Sequence, residues 1–458
     1  MMKKPLHLFY IATLLLQACS LNVPIPDQYA DPDAISDTET ARSLLATCYE
    51  SFPHYDYELS VLGSDFCPTN LAAKYVDNLN LYNWQDKDLS TLATSLWESY
   101  YTCISNCDAL LERQEGIATT SAADLQEKGA ILAEAKTLKA LCYFDLLRLF
   151  ATRYADGAEK DGIVLKTMFG FEQLPRSSKQ TSANYIGTLL AEAKPAANEP
   201  TSDGWLSSRA VAYLQAELAL YMGDYQRTAE LADSLIQLAP TSLLTGANYE
   251  RLWQTSTFEG RIFAFNTSSA FYTDIQFDAT DGDYFALNPS ITFDEGDLRQ
   301  PWAVCTQQMG GQNRSLVGKY NLMNKRGTQP TYINRMRHAG LYFMAAEAHA
   351  RLGNEATARQ RLNAYLTLVG AESLSDSLTG TALVERILSE KQKEFLGEAT
   401  TWFDLKRTAA SIGRLSTWGT ATTARIPATD YRWTLPIPSS EYKYNDAITQ
   451  NDGWSINK

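Results

Sequence analysis

Two kinds of residue in this sequence could do chemistry. Glu394 and Glu398 stand four residues apart, one helical turn, as a pair of carboxylates sharing acid and base work would require. Beyond the first eighteen residues the histidines are His54, His338 and His349, and none belongs to an HExxH, a GxSxG, a phosphate loop or a cysteine-histidine pair. The second kind is aromatic. Residues 52–88 and 248–335 lose helical periodicity and carry Tyr and Trp among Asn, Asp and Gly. A flat ring flanked by amide and carboxylate groups suits a sugar, which offers one apolar face and a rim of hydroxyls.

Rings on loops need a rigid support, and the support is helical. In Ser207 to Pro240, Val211, Leu214, Leu218 and Tyr221 recur at helical spacing beside a small stripe of Ala212, Ala216 and Ala219. Gly223 can take a left-handed terminus and Asp224 can cap a second helix bearing Leu231, Leu235 and Leu238. Ala339 to Val369 repeats the arrangement around Gly353-Asn354. This spacing resembles the tetratricopeptide repeat, although ordinary helical hairpins would read the same way. Elsewhere, Ser36-Asp37-Thr38-Glu39 offers a capping box for a first helix, a helix spans the SLWESYYTCISNCDALLER segment, and the strongest helix runs from Leu125 to Phe150. Apolar on nearly all sides, it belongs in the core, so Glu134, Lys136 and Arg148 are expected in structural pairs. Another helix starts near Ser182. Between the two hairpins, RIFAF and YTDIQF read as short strands.

The chain opens MMKKPLHLFYIATLLLQACS, a signal peptide with an apolar run too short to span a bilayer and a cysteine at the cleavage point. Cys19 in that context resembles a bacterial lipobox, and acyl chains there would hold the protein on a membrane. Removing residues 1–18 leaves 440 residues and takes the formal charge from −13 to about −15, which argues against nucleic acid and anionic headgroups as partners. Cys103 and Cys107 are expected as buried thiols; Cys67 could pair with a distant cysteine.

With these segments in order, the chain is identified as a member of the SusD/RagB family of outer-membrane nutrient-binding lipoproteins. Trp97 to Leu111 resembles the family's W-x-x-x-Y-x-x-I helix, with Asp108 where Asn is usual, and Glu134 to Phe150 resembles its EA-x-x-L-RA-x-x-YF-x-L segment. Leu174-Pro175-Arg176 and Gly223-Asp224-Tyr225 also fit. Most specific are Glu390 to Thr408 and Leu435 to Trp454, which follow ER-x-x-EL-x-x-EG-x-RWFDL-x-R and PIP-x-x-E-x-x-x-N…QN-x-GY. Lys391, Thr401 and Trp454 depart from Arg, Arg and Tyr.

The resemblance implies a mainly α fold, a tetratricopeptide-like scaffold with an irregular, loop-rich, minor-β second half, forming one domain over 19–458. Its helical part covers 37–247 with the aromatic loop 52–88, the irregular insertion 248–335, and the C-terminal helices and motif tail 336–458. It implies a lipid anchor at Cys19 on the cell surface of the outer membrane and a SusC-like TonB-dependent transporter as partner. No acidic residue follows Cys19 before Asp27, so the outer face rests on the family alone. It places Glu394 and Glu398 in the scaffold, so no enzymatic activity, cofactor or metal is expected. Ligand contacts would come from Asp65, Tyr75, Asn78, Trp84, Tyr284, Trp302 and Tyr320, with Trp84 and Trp302 foremost. The expected ligand is an oligosaccharide bound without turnover; a peptide, as in RagB-like members, is the alternative.

Overall fold

A computed structural model describes residues 35–74, 76–194, 196–198, 204–238, 249, 251–255, 258, 260–266, 285–309, 311–319 and 332–455. Helix α1 (Thr38–Glu50) opens on a capping box, but one residue later than the sequence suggests: Asp37 is the N-cap and Thr40 returns the bond, with Thr40 N–H donating to Asp37 Oδ1 at 2.8 Å. The 52–88 stretch is a lobe of short elements: α2 (Asp56–Leu62), β1 (Phe66–Pro68), α3 (Asn70–Lys74) and α4 (Val76–Tyr82). The long helices α5 (Asp86–Glu112) and α6 (Ala122–Phe150) then pack against α1 and each other. α5 starts well before the apolar segment that announced it.

Helix α6 is almost wholly buried from Ala130 onward. Such a terminus needs partners for its last carbonyls, and Lys406 supplies them, Nζ donating to Arg148 O at 2.6 Å and Ala151 O at 2.8 Å. Glu134 pairs with Arg42 at 2.8 Å, Lys136 with Glu192 at 2.8 Å, and Arg148 with Asp145, the structural roles expected of them. α7 (Lys179–Ala193) begins at a Ser178 cap, slightly earlier than Ser182.

The hairpin α8 (Ser208–Met222) and α9 (Tyr225–Gln237) turns at Gly223, φ +80°, and Asp224 Oδ1 accepts from Arg227 N at 3.0 Å. Short elements follow: α10 (Arg251–Gln254), β2 (Arg261–Asn266), β3 (Phe285–Leu287), α11 (Gln300–Ala303), β4 (Val304–Met309), β5 (Gln312–Val317) and β6 (Tyr332–Arg337). RIFAF is β2; YTDIQF lies outside the described residues. The second hairpin, α12 (His338–Arg351) and α13 (Glu355–Leu368), stacks α12 on α9, tied by Asp233 to Arg361 at 2.7 Å and to His349 at 3.0 Å. Each hairpin covers the apolar face its neighbour leaves open, the reason repeats of this kind come in stacks. α14 (Gly380–Glu394), α15 (Thr400–Arg407) and the β7 (Ile412–Leu415) and β8 (Thr422–Ile426) hairpin complete the chain. Among the described residues the sheets are two-stranded and antiparallel: β1 with β3, β2 with β6, β4 with β5, β7 with β8.

Buried ion pairs hold the irregular half to the C-terminal helices. Lys319 reaches Glu398 at 2.6 Å, and Arg299 reaches Asp297 at 2.7 Å and Glu390 at 2.6 Å. Among the described residues all six cysteines are buried free thiols, Cys67 included; burial pushes its thiol up to about 12. No described helix is long and apolar enough to cross a membrane.

Candidate functional site

The two aperiodic regions, two hundred residues apart in the chain, meet. Strand β1 pairs with β3, Phe66 opposite Leu287, and the junction is reinforced by Asn288, whose N–H donates to Asp65 O at 2.9 Å and whose Nδ2 donates to Ser64 O at 2.8 Å. β5 lies against β3, and the turn between β7 and β8 lies on β1 and α3. At that turn Trp418 takes φ +63°, a left-handed conformation that costs a non-glycine residue roughly 1 kcal/mol or more. Gly419 follows at φ +70°, where a Cβ would stand 2.6 Å from Pro289, so the turn has no alternative packing for a larger residue.

The half-buried Trp418 ring packs on Cys67, Ala286, Cys305 and Leu316, and the Arg314 guanidinium lies over it at 4.3 Å from the centroid. Arg314 Nε finds no hydrogen-bond partner among the described residues. Around this stacked pair, Gln312, Asn313 and Ser315 of β5 and Thr306 of β4 are exposed. Ring, cation and amides in one patch can stack on a flat apolar face and satisfy hydroxyls at its edge.

The residues expected to bind fare differently. Trp84 is fully buried, and this corrects the expectation that it is a loop platform: its indole N–H donates to Leu62 O at 3.1 Å and its ring stands edge-on to Trp433 at 4.7 Å. Asp65 is also wholly buried, accepting from Thr401 Oγ1 at 2.7 Å, Gln392 Nε2 at 3.0 Å and Gly397 N at 3.2 Å, so it pins β1 to the C-terminal helices and no ligand can reach it in this arrangement. Burial raises its carboxyl above the usual carboxylate range. Asn78 is half-buried on α4, and Trp302 is half-buried on α11, just before β4. Tyr75, Tyr284, Tyr320 and Cys19 lie outside the described residues. Trp418 and Arg314 escaped sequence reasoning; the signal that could have found them is the Trp-Gly pair between two short strands in the tail.

A second space, a cavity of about 270 Å³, lies between α2, α6, α8, α12 and α15, with Tyr55, Asp56, Arg148, Tyr221, Arg335 and Phe403 on its walls. Arg335 is paired there with Glu217 and Asp145, both at 3.3 Å. Burial pushes Asp56 up to about 7 and His54 down to about 4. Of the carboxylate pair singled out in the sequence, Glu398 stands on this cavity's wall, already held by Lys319 and Arg337. Burial works to raise Glu394, but Arg337, Lys319 and Arg299 outweigh it and hold the carboxyl below its ordinary value. Among the described residues no group of three His, Cys, Asp or Glu is placed to hold a metal ion.

The model of the SusD family matches residues 175–454. The chain belongs to the SusD family. The SusD-family fold recurs in solved structures that cover almost all of it. A SusD superfamily protein from Bacteroides vulgatus has TM-score 0.78 at 20% identity over 92% of this chain and 100% of that one. A SusD-like carbohydrate binding protein from the same organism has TM-score 0.75 at 18% identity, over 90% and 98%. A SusD superfamily protein from Bacteroides thetaiotaomicron has TM-score 0.73 at 21% identity, over 91% and 99%. At these identities the likeness speaks for the fold. Comparison with curated proteins returns no match.

Positions where this SusD-family member departs from the family pattern make internal contacts. Asp108 pairs with Lys139 at 2.5 Å, Lys391 with Asp404 at 2.8 Å, Thr401 with Asp65, and Trp454 Nε1 donates to Thr434 O at 2.7 Å. Of the motif residues, Arg176 donates to Phe150 O and to Asn451 Oδ1, both at 2.9 Å, knotting the tail to the end of α6.

Proposed function

We propose that the chain binds oligosaccharide at the cell surface without altering it and passes it to a SusC-like TonB-dependent transporter in the outer membrane. In this reading residues 1–18 are removed, Cys19 carries the lipid, and 19–458 act as one domain. The observation that carries the reading is the stack of Arg314 on Trp418. It offers a ring and hydrogen-bonding groups on the face where the two aromatic regions converge. Asn78 and Trp302, with Tyr75, Tyr284 and Tyr320, are proposed as further ligand contacts on the strength of the family resemblance. Support also comes from the family and from the structural neighbour described as carbohydrate binding.

The test is isothermal titration of the protein against a panel of glycans and a panel of peptides, with Trp418→Ala alongside. A glycan bound by the wild type and weakened about tenfold or more by the substitution, corresponding to roughly 1.4 kcal/mol, is the expected result. Binding confined to peptides would replace sugar by an extended chain as the ligand, and turnover of any glycan by pure protein would overturn the non-catalytic reading.

A further inference from the structure

One end of the first helical bundle turns apolar side chains to solvent. Phe171 is 71% exposed, Leu125 63% and Met168 54%, and they come from two segments that both lie toward the C-terminal end of α5. The segment bearing Met168 and Phe171 runs along α5: Tyr101 Oη donates to Val164 O at 2.7 Å, Lys166 Nζ donates to Ser105 Oγ at 3.1 Å, and Phe169 N–H donates to the Glu112 carboxylate at the last residue of the helix. Its tip has a set shape. Glu172 accepts from Thr167 N at 3.0 Å and Met168 N at 3.3 Å, Lys166 Nζ donates to Gly170 O at 2.8 Å, and Gly170 takes φ +111°. Leu125 sits in the first turn of α6, which begins after the short link from the same end of α5.

The described chain also begins there. Ala118 N donates to Ser36 O at 2.9 Å, and a Cβ on Gly116 would stand 3.4 Å from Ile35 O. Ile35 is therefore packed against the link between α5 and α6. The fifteen residues between Cys19 and Ile35 could reach at most about 50 Å when fully extended, so acyl chains on Cys19 would keep this end of the bundle close to the membrane.

We propose that this tip is a lipid-facing element: Met168, Phe171 and Leu125 enter the interfacial region of the leaflet that holds the acyl chains of Cys19, fixing the tilt of the protein above the membrane. The proposal rests on the lipid-anchor reading above. Acyl chains at a single point hold a protein near a surface without orienting it; apolar side chains buried at a second point remove that freedom. An aqueous setting gives three such exposed side chains no comparable partner.

The experiment uses the full acylated chain in vesicles of phosphatidylethanolamine and phosphatidylglycerol. A nitroxide is attached at Phe171→Cys, with a second label at Ser375→Cys, in the loop between α13 and α14, as reference; the described native cysteines are all buried and stay unlabelled. Flotation with the vesicles reports the anchor by itself. The expected result is flotation together with loss of collisions between the 171 label and an aqueous nickel chelate, while the 375 label keeps its collisions. Protein that fails to float overturns the anchor and the proposal with it. Flotation with the 171 label open to the chelate overturns the lipid-facing tip alone. Protection that appears only once a barrel transporter is reconstituted also overturns it, in favour of a protein interface.

Discussion

Arg337 grips Glu398 with two parallel bonds, Nε to Oε2 at 3.0 Å and Nη2 to Oε1 at 2.9 Å, and turns its third nitrogen to Glu394. The fork joins the start of the second hairpin to the C-terminal helices, its side chains almost wholly buried beside the cavity. Removing one member of a buried pair leaves the other charge stranded, at a cost of about 3–5 kcal/mol. Arg337→Met should therefore lower stability in urea by that amount, and Glu398→Gln, which strands Lys319 as well as part of the arginine, by a similar amount. Equal stability of wild type and Arg337→Met would show that the cluster is hydrated.

Trp84 and Trp418 separate core from platform. Trp84→Ala should destabilise by about 3–5 kcal/mol, since it empties a fully buried site. Trp418→Ala should cost about 1–2 kcal/mol, less than Trp84→Ala, because the ring is only half-buried and alanine, which also carries a Cβ, stays in the same left-handed turn. Differential scanning calorimetry of the two variants distinguishes them, and the reverse ranking would put the platform elsewhere.

Gly340 and Tyr213 meet at the crossing of α8 and α12. A Cβ on Gly340 would stand 2.0 Å from Tyr213 Oη and 3.0 Å from the ring carbon that bears it. Gly340→Ala should cost about 1–3 kcal/mol from overpacking, and adding Tyr213→Phe should recover much of it. A double-mutant cycle in denaturant gives the coupling; strict additivity would mean that the helices separate freely.

Asp56 makes stability depend on pH. Its folded carboxyl titrates at about 7, above the ordinary 3.8, because burial disfavours the charged form. The folded state thus holds a proton that the unfolded chain releases, so this contribution is intact below pH 3.8 and is lost as pH rises through 7. Asp56→Asn should melt higher than wild type at pH 8, with the gap closing by pH 4. A constant difference across that range would remove Asp56 from the pH response.

Much of the scaffold was readable because its determinants are local. Gly223-Asp224 and Gly353-Asn354 stop one helix and start the next within two residues, and three or four turns of apolar spacing flank each pair. Residues 52–88 failed on length: α2 and α4 have seven residues each, too few for a period to show. Trp84 looked like a ring among polar loop residues because its partner, Trp433, comes from the other end of the chain. The same holds for Asp65, whose three donors lie between Gln392 and Thr401. Trp418 and Arg314 become a platform only when two hairpins meet, a relationship that no stretch of either contains.

The knot formed by Arg176, Phe150 and Asn451 ties three distant stretches of the chain together at one carbonyl. Asn451 Nδ2 donates to Phe150 O at 2.8 Å and to Leu435 O at 2.7 Å, so the carbonyl at the end of α6, which Arg176 also reaches, is shared with the tail. A chain cut before Asn451 loses one of the two side-chain donors at that carbonyl, so fraying is expected to start at the end of α6.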